Sequence, residues 1–136
     1  MEKIWHDLYK KAKNSINVQS IPPFIEYGNN SCAIESASNE IYTGISIASN
    51  TAVGCSAEKS AITSMLNAGE NKIKRIVILN ELEEVILPSI ESLEYLIELT
   101  DKQEELEILL DYEKKEIVTL KDIIPEWWGT YRNKKE

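Results

Sequence analysis

The run Arg75-Ile76-Val77-Ile78-Leu79 constrains this chain more than any other segment. It is far shorter than the roughly 20 residues a membrane-crossing helix needs. Its β-branched residues follow one another without polar alternation, the pattern of a strand covered on both faces. Such a strand requires neighbouring strands at its edges and helices above and below it.

The rest of the chain supplies those elements. Ile4, Trp5, Leu8, Tyr9 and Ala12 fall at helical spacing and predict a first helix to about Lys13. Pro22-Pro23 and Gly28-Asn29-Asn30 mark a loop. Ser31 to Glu35 and Glu40 to Ala48 read as strands joined through the polar turn Ser36-Ala37-Ser38-Asn39. Ser56 to Ala68 reads as a helix ended by Gly69, with Ala57, Ala61 and Met65 in one row and Ile62 and Leu66 in the next. After Pro88, Ile90, Leu93, Leu96 and Ile97 mark another helix. Leu106–Leu110 and Glu116–Leu120 read as strands, and Lys121–Trp128 opens a final helix. The expected fold is α/β: a three-layer α/β/α domain around a mixed sheet of about five strands.

With 136 residues the expectation is a single domain over 1–136. A formal net charge of −8 excludes a general affinity for nucleic acid, whose phosphates an acidic surface repels, and gives no attraction to anionic membranes. No apolar run reaches the length of a membrane span, and Met1–Asp7 has no signal-peptide core, so a cytoplasmic location is expected. Cys32 and Cys55 are then expected to be free thiols. The lone histidine, His6, is read as a surface or half-buried side chain of the first helix.

Two segments carry a recognisable pattern. Gly54-Cys55-Ser56-Ala57-Glu58-Lys59-Ser60-Ala61-Ile62 is similar to the Cys-Ala-Glu-Arg-Thr-Ala motif that opens the active-site helix of cytidine deaminases, and Leu87-Pro88-Ser89-Ile90-Glu91-Ser92-Leu93 is similar to their Pro-Cys-Gly-x-Cys-Arg. Outside the site, Ile41-Tyr42-Thr43-Gly44 resembles that family's second strand and Leu66–Glu70 the end of its active-site helix. Thr119–Trp128 resembles its closing Leu-Leu-Pro-x-x-Phe segment, so the resemblance runs from about Ser31 to Trp128.

The resemblance implies a zinc site that is missing here. The family holds zinc through three thiolates, or one imidazole and two thiolates, and a glutamate moves protons between metal-bound water and the base. The ligand positions align with Ser56, Ser89 and Ser92, whose hydroxyls are neutral and poor zinc donors. No metal or other cofactor is therefore expected. Glu58 aligns with the proton-shuttling glutamate. Ser46-Ile47-Ala48-Ser49 aligns with the ribose-binding Asn-x-Glu-Asn, so Ser46 and Ala48 are former ribose positions, and Leu93 stands where the family has arginine. A register shifted by one residue makes Cys55 the ligand but takes Ala57-Glu58 out of place, and one thiolate does not make a three-ligand site.

Plainer readings stand beside these. Ser56 and Ser89 are good N-cap residues, and Glu58 and Glu91 are first-turn acids suited to the helix dipole. Cys55 reads as a small buried residue or a reactive thiol near a helix N-terminus. Trp127 and Trp128 read as lining a pocket or interface, or as core. The expectation is an inactive cytidine deaminase homologue without zinc, retaining a small polar-ligand pocket or acting as an oligomeric or regulatory partner, and forming a homodimer or homotetramer. The alternative is a nucleoside or related-base deaminase with an atypical, non-zinc or divergent active site using Glu58.

Overall fold

The computed structural model describes residues 1–49 and 54–124. The elements run α1 (Lys3–Ser15), β1 (Gln19–Ile21), β2 (Ile25–Ser36), β3 (Ile41–Ser49), α2 (Ala57–Asn67), β4 (Ile73–Leu79), α3 (Ile90–Leu99), a single 3₁₀ turn (Gln103–Glu105), β5 (Glu107–Asp111), β6 (Glu116–Thr119) and α4 (Leu120–Ile123).

All six strands form one mixed sheet. The order is β1-β2-β4-β5-β6, with β3 also on β2; β4 and β5 are parallel and the other pairs antiparallel. A strand has two edges, so β3 takes one edge of β2 while β1 and β4 share the other end to end. The period of two in the central strands sorts their side chains between two cores. Cys32 and Ile34 of β2, Ile76 and Ile78 of β4 and Ile108 of β5 pack with Ala57, Ala61, Ile62 and Met65 of α2 and Leu96 and Ile97 of α3. The alternating residues Ala33, Val77, Leu79 and Leu109 pack with Trp5, Leu8 and Ala12 of α1. This is the expected α/β/α layering, with the 76–79 run buried on both faces.

Two features depart from the sequence expectation. The Gly28-Asn29-Asn30 stretch lies within β2, as a bulge that shifts the pairing register with β3 between Tyr27 and Ser31. Gly28 takes a φ of +83°, which glycine adopts without a Cβ penalty, so a turn-forming composition makes a kink inside a strand. The second departure is β1. All three of its residues are exposed, and it is held by backbone pairing with β2, so no apolar alternation marks it. Of the final helix expected over Lys121–Trp128, Leu120–Ile123 is helical and residues 125–128 lie outside the described residues.

Gly44 sets how closely α2 approaches the sheet. A Cβ there would come within 2.7 Å of both the Ala57 carbonyl oxygen and the Ser60 carbonyl carbon, and closer still to the Ala61 nitrogen. The backbone of α2 therefore rests on β3 where only glycine fits.

At the far end of α2, Glu70 ties the helix terminus to the β2–β3 turn. It accepts from Tyr42 Oη (2.6 Å), Ser36 Oγ (2.9 Å) and Ser38 Oγ. The Ser38 bond, then the Tyr42 bond, hold its carboxyl below the usual carboxylate range, and the same contact pushes the Tyr42 phenol up to about 12. A carboxylate depressed in the folded state stabilises it above the unfolded pKa and loses that contribution as pH falls through the folded value. Glu70→Gln therefore lowers the urea midpoint at pH 7, and the gap to the parent chain closes on acidification below the ordinary carboxylate range. A gap that is constant with pH would contradict this role.

Candidate functional site

Helices α2 and α3 start side by side, and the side chains at their starts form one hydrogen-bonded group. Ser56 is the N-cap of α2, accepting from the Lys59 amide at 3.1 Å; Ser89 is the N-cap of α3, accepting from the Ser92 amide at 3.2 Å. Each hydroxyl thus satisfies one of the amides a helix start leaves without a partner. The N-cap readings of both serines hold.

The caps are also joined to each other. Ser89 Oγ donates to Ser92 Oγ at 2.9 Å, and Ser92 Oγ lies 2.9 Å from Ser56 Oγ. Ser92 is 1% exposed. Having accepted the Ser89 proton, it shares a second hydrogen bond with Ser56, in which either oxygen can donate. The three positions that the sequence pattern aligned as metal ligands do converge, as a chain of hydroxyls.

Glu58 lies in the first turn of α2 and is 3% exposed. Its Oε2 accepts the Ser89 backbone N–H at 3.2 Å, so a buried carboxylate caps the start of the neighbouring helix. Beneath it, burial and then the Glu58 charge push the Cys32 thiol well above its ordinary range, which keeps Cys32 protonated and poorly nucleophilic. On the outer side, Lys59 Nζ pairs with Glu91 Oε1 at 3.0 Å and sits 4.9 Å from the centroid of the Tyr95 ring. The bond to Glu91, then Tyr95, raises the Lys59 pKa.

Other candidates are placed elsewhere or differently. Ser46 Oγ accepts from the Asn30 amide at 3.0 Å, so it serves the β2 bulge. Ala48 is exposed on β3 and, with Ser49, lines a surface cleft of about 380 Å³ bounded by Ser20, Pro22, Pro23, Phe24 and Glu26. Cys55 is half-buried and free; its backbone pairs with Ile47 at the end of β3, and its thiol contacts the Ser56 carbonyl oxygen at 3.6 Å. Cys32 is also free and fully buried. His6 accepts or donates at 2.6 Å to Tyr112 Oη on the α1 face, away from the serines. Trp127 and Trp128 lie outside the described residues.

Sequence reasoning did not single out the Lys59–Glu91–Tyr95 group. Glu91 was visible only as a helix-dipole acid. The available signal was that Lys59 follows Ser56 by three residues while Glu91 follows Ser89 by two, so two capped helices starting together present opposite charges to each other.

The chain was compared with known proteins. No family profile matches it, and no curated protein does. Solved structures do. Cytidine deaminase from Mycobacterium tuberculosis superposes with a TM-score of 0.74 at 18% identity, covering 94% of this chain and 99% of that one. The Bacillus anthracis cytidine deaminase gives 0.74 at 21% identity over 98% and 95%, and the Burkholderia pseudomallei enzyme 0.70 at 21% over 94% and 100%. The fold is the cytidine deaminase fold, held over nearly the full length of each chain. At these identities the likeness reaches the fold alone, and the chemistry rests on the site residues. No helix among the described residues is long and apolar enough to cross a membrane.

Proposed function

We propose that this chain is a cytidine deaminase-fold protein that does not carry out zinc-dependent deamination and uses the scaffold for binding or assembly. The observation that carries the reading is the hydroxyl chain Ser89–Ser92–Ser56. Zinc with oxygen ligands at about 2.0–2.2 Å in tetrahedral geometry holds those oxygens about 3.3–3.6 Å apart. Here Ser92 Oγ sits 2.9 Å from each of the other two oxygens, with a proton between each pair. Three neutral hydroxyls also supply none of the negative charge that thiolates bring to a zinc site. Glu58, a carboxylate beside them, is already bonded to the Ser89 amide. This donor set does not fit zinc.

Without a metal-bound water, Glu58 lacks the nucleophile it would activate in a zinc deaminase. The expected result is no ammonia release above background from a panel of nucleosides and free bases, for the parent chain and for Glu58→Gln alike. The second reading, a zinc-free deaminase with Glu58 as general base, draws on the burial of that carboxylate. It requires turnover that Glu58→Gln abolishes.

Self-association is part of the proposal. It rests on the sequence resemblance and on large apolar side chains left exposed before and at the start of α3: Leu82 (74%), Leu87 (53%) and Ile90 (85%). Light scattering is expected to give a dimer or tetramer; a monomer at micromolar concentration contradicts it.

A further inference from the structure

We propose that the side chains at the two helix starts form a metal-independent clasp that holds the beginning of α3 against α2. The inference rests on the reading that these residues do not take zinc, and it assigns them a positive role.

The first residues of α3 have partial apolar anchorage, from the buried Pro88 just before the helix and the half-buried Leu93. Leu87 and Ile90 are exposed, and the first fully buried apolar side chain of the helix is Leu96. Polar links to the first turn of α2 lie in between: Ser92 Oγ to Ser56 Oγ, the Ser89 amide to Glu58, and Glu91 to Lys59, with Tyr95 beside the same ammonium. These links join residues 31 to 36 positions apart in sequence. A bound ion can join such positions through one centre. Here the cross-link is distributed over one neutral hydrogen bond, one charge-assisted bond and one ion pair, and it needs no metal. Ser92 is the centre of the clasp because its hydroxyl touches both caps.

The clasp predicts local opening. Ser92→Ala removes the bridging oxygen but keeps the Ser92 amide that Ser89 caps, so the intrinsic start of α3 survives. Amide hydrogen exchange around residues 89–93 is expected to speed up about tenfold, with exchange in α1 unchanged and the parent chain insensitive to a chelator. A smaller acceleration at the same amides is expected for Glu91→Gln, whose ion pair is part exposed. Unchanged exchange at 89–93 in Ser92→Ala, or a rise spread evenly over the chain, would overturn the clasp while leaving the absence of zinc chemistry standing. A parent chain whose protection at 89–93 is lost on chelation would overturn both.

Discussion

Replacing Ser56, Ser89 and Ser92 together by cysteine is expected to convert the chain into one that takes up a single zinc. The three side chains already converge, with Ser92 Oγ within hydrogen-bonding distance of both Ser56 Oγ and Ser89 Oγ. Thiolates at those positions supply three negative charges, and zinc–sulfur bonds of about 2.3 Å move the donors only modestly apart. A ligand present at a thousandfold excess over its Kd stabilises the folded state by about 4 kcal/mol. At roughly 3–5 °C per kcal/mol for a chain of this size, zinc should raise the Tm of the triple variant by about 12–20 °C. Uptake should weaken as pH falls, because the thiols must lose their protons to bind. Single Cys replacements should show no stoichiometric uptake. Failure of the triple variant to bind zinc, with its thiols titratable and its fold intact, would mean that the three positions do not converge as described.

Gly44→Ala is expected to be strongly destabilising for a single added methyl group. The new carbon would lie within 2.7 Å of two backbone atoms of α2 and closer to a third, and no flexible side chain is present to give way. Either α2 lifts from β3 or the strand shifts, at an expected cost of about 3 kcal/mol. The corresponding fall in Tm is about 10 °C. Because α2 carries Ser56, Glu58 and Lys59, the damage should also reach the start of α3 and accelerate exchange there. Gly69→Ala is the useful contrast. Gly69 has a φ of +88° but open space around its Cβ direction, so only the backbone strain of about 1 kcal/mol is expected. Equal effects from the two substitutions, measured by urea denaturation, would contradict the close approach of α2 to the sheet.

The central layer and its covering helices were legible because burial leaves periodicity. Ile76 to Leu79 are apolar on both faces since helices lie on both sides, and Leu8 and Ala12 recur at helical spacing because one face of α1 is buried. What burial does not mark was hidden. The exposed strand Gln19–Ile21 is held by its backbone, and Gly28-Asn29-Asn30 carries the composition of a turn while forming a bulge in β2.

The same division runs through the site. Ser56 and Ser89 were readable as caps because a cap is local: the hydroxyl and the amide it satisfies lie three residues apart. That Ser92 bridges them, or that Lys59 meets Glu91, depends on tertiary placement across more than thirty residues. The Glu70 pin was missed for that reason. Ser36 and Ser38 read as turn residues, and nothing in their spacing pointed to a carboxylate at the end of α2. Ser46 was aligned with a substrate-binding position, yet its hydroxyl is committed to the Asn30 amide in the bulge.

The central claim is that the two helix starts are joined by hydroxyls and a carboxylate in place of a metal. The most direct test is elemental analysis of the purified, untagged chain after equilibration with zinc and removal of excess, at known chain concentration. The account predicts no stoichiometric zinc. One zinc per chain would contradict it, and would return zinc-dependent deamination to first place among the functions to be tested.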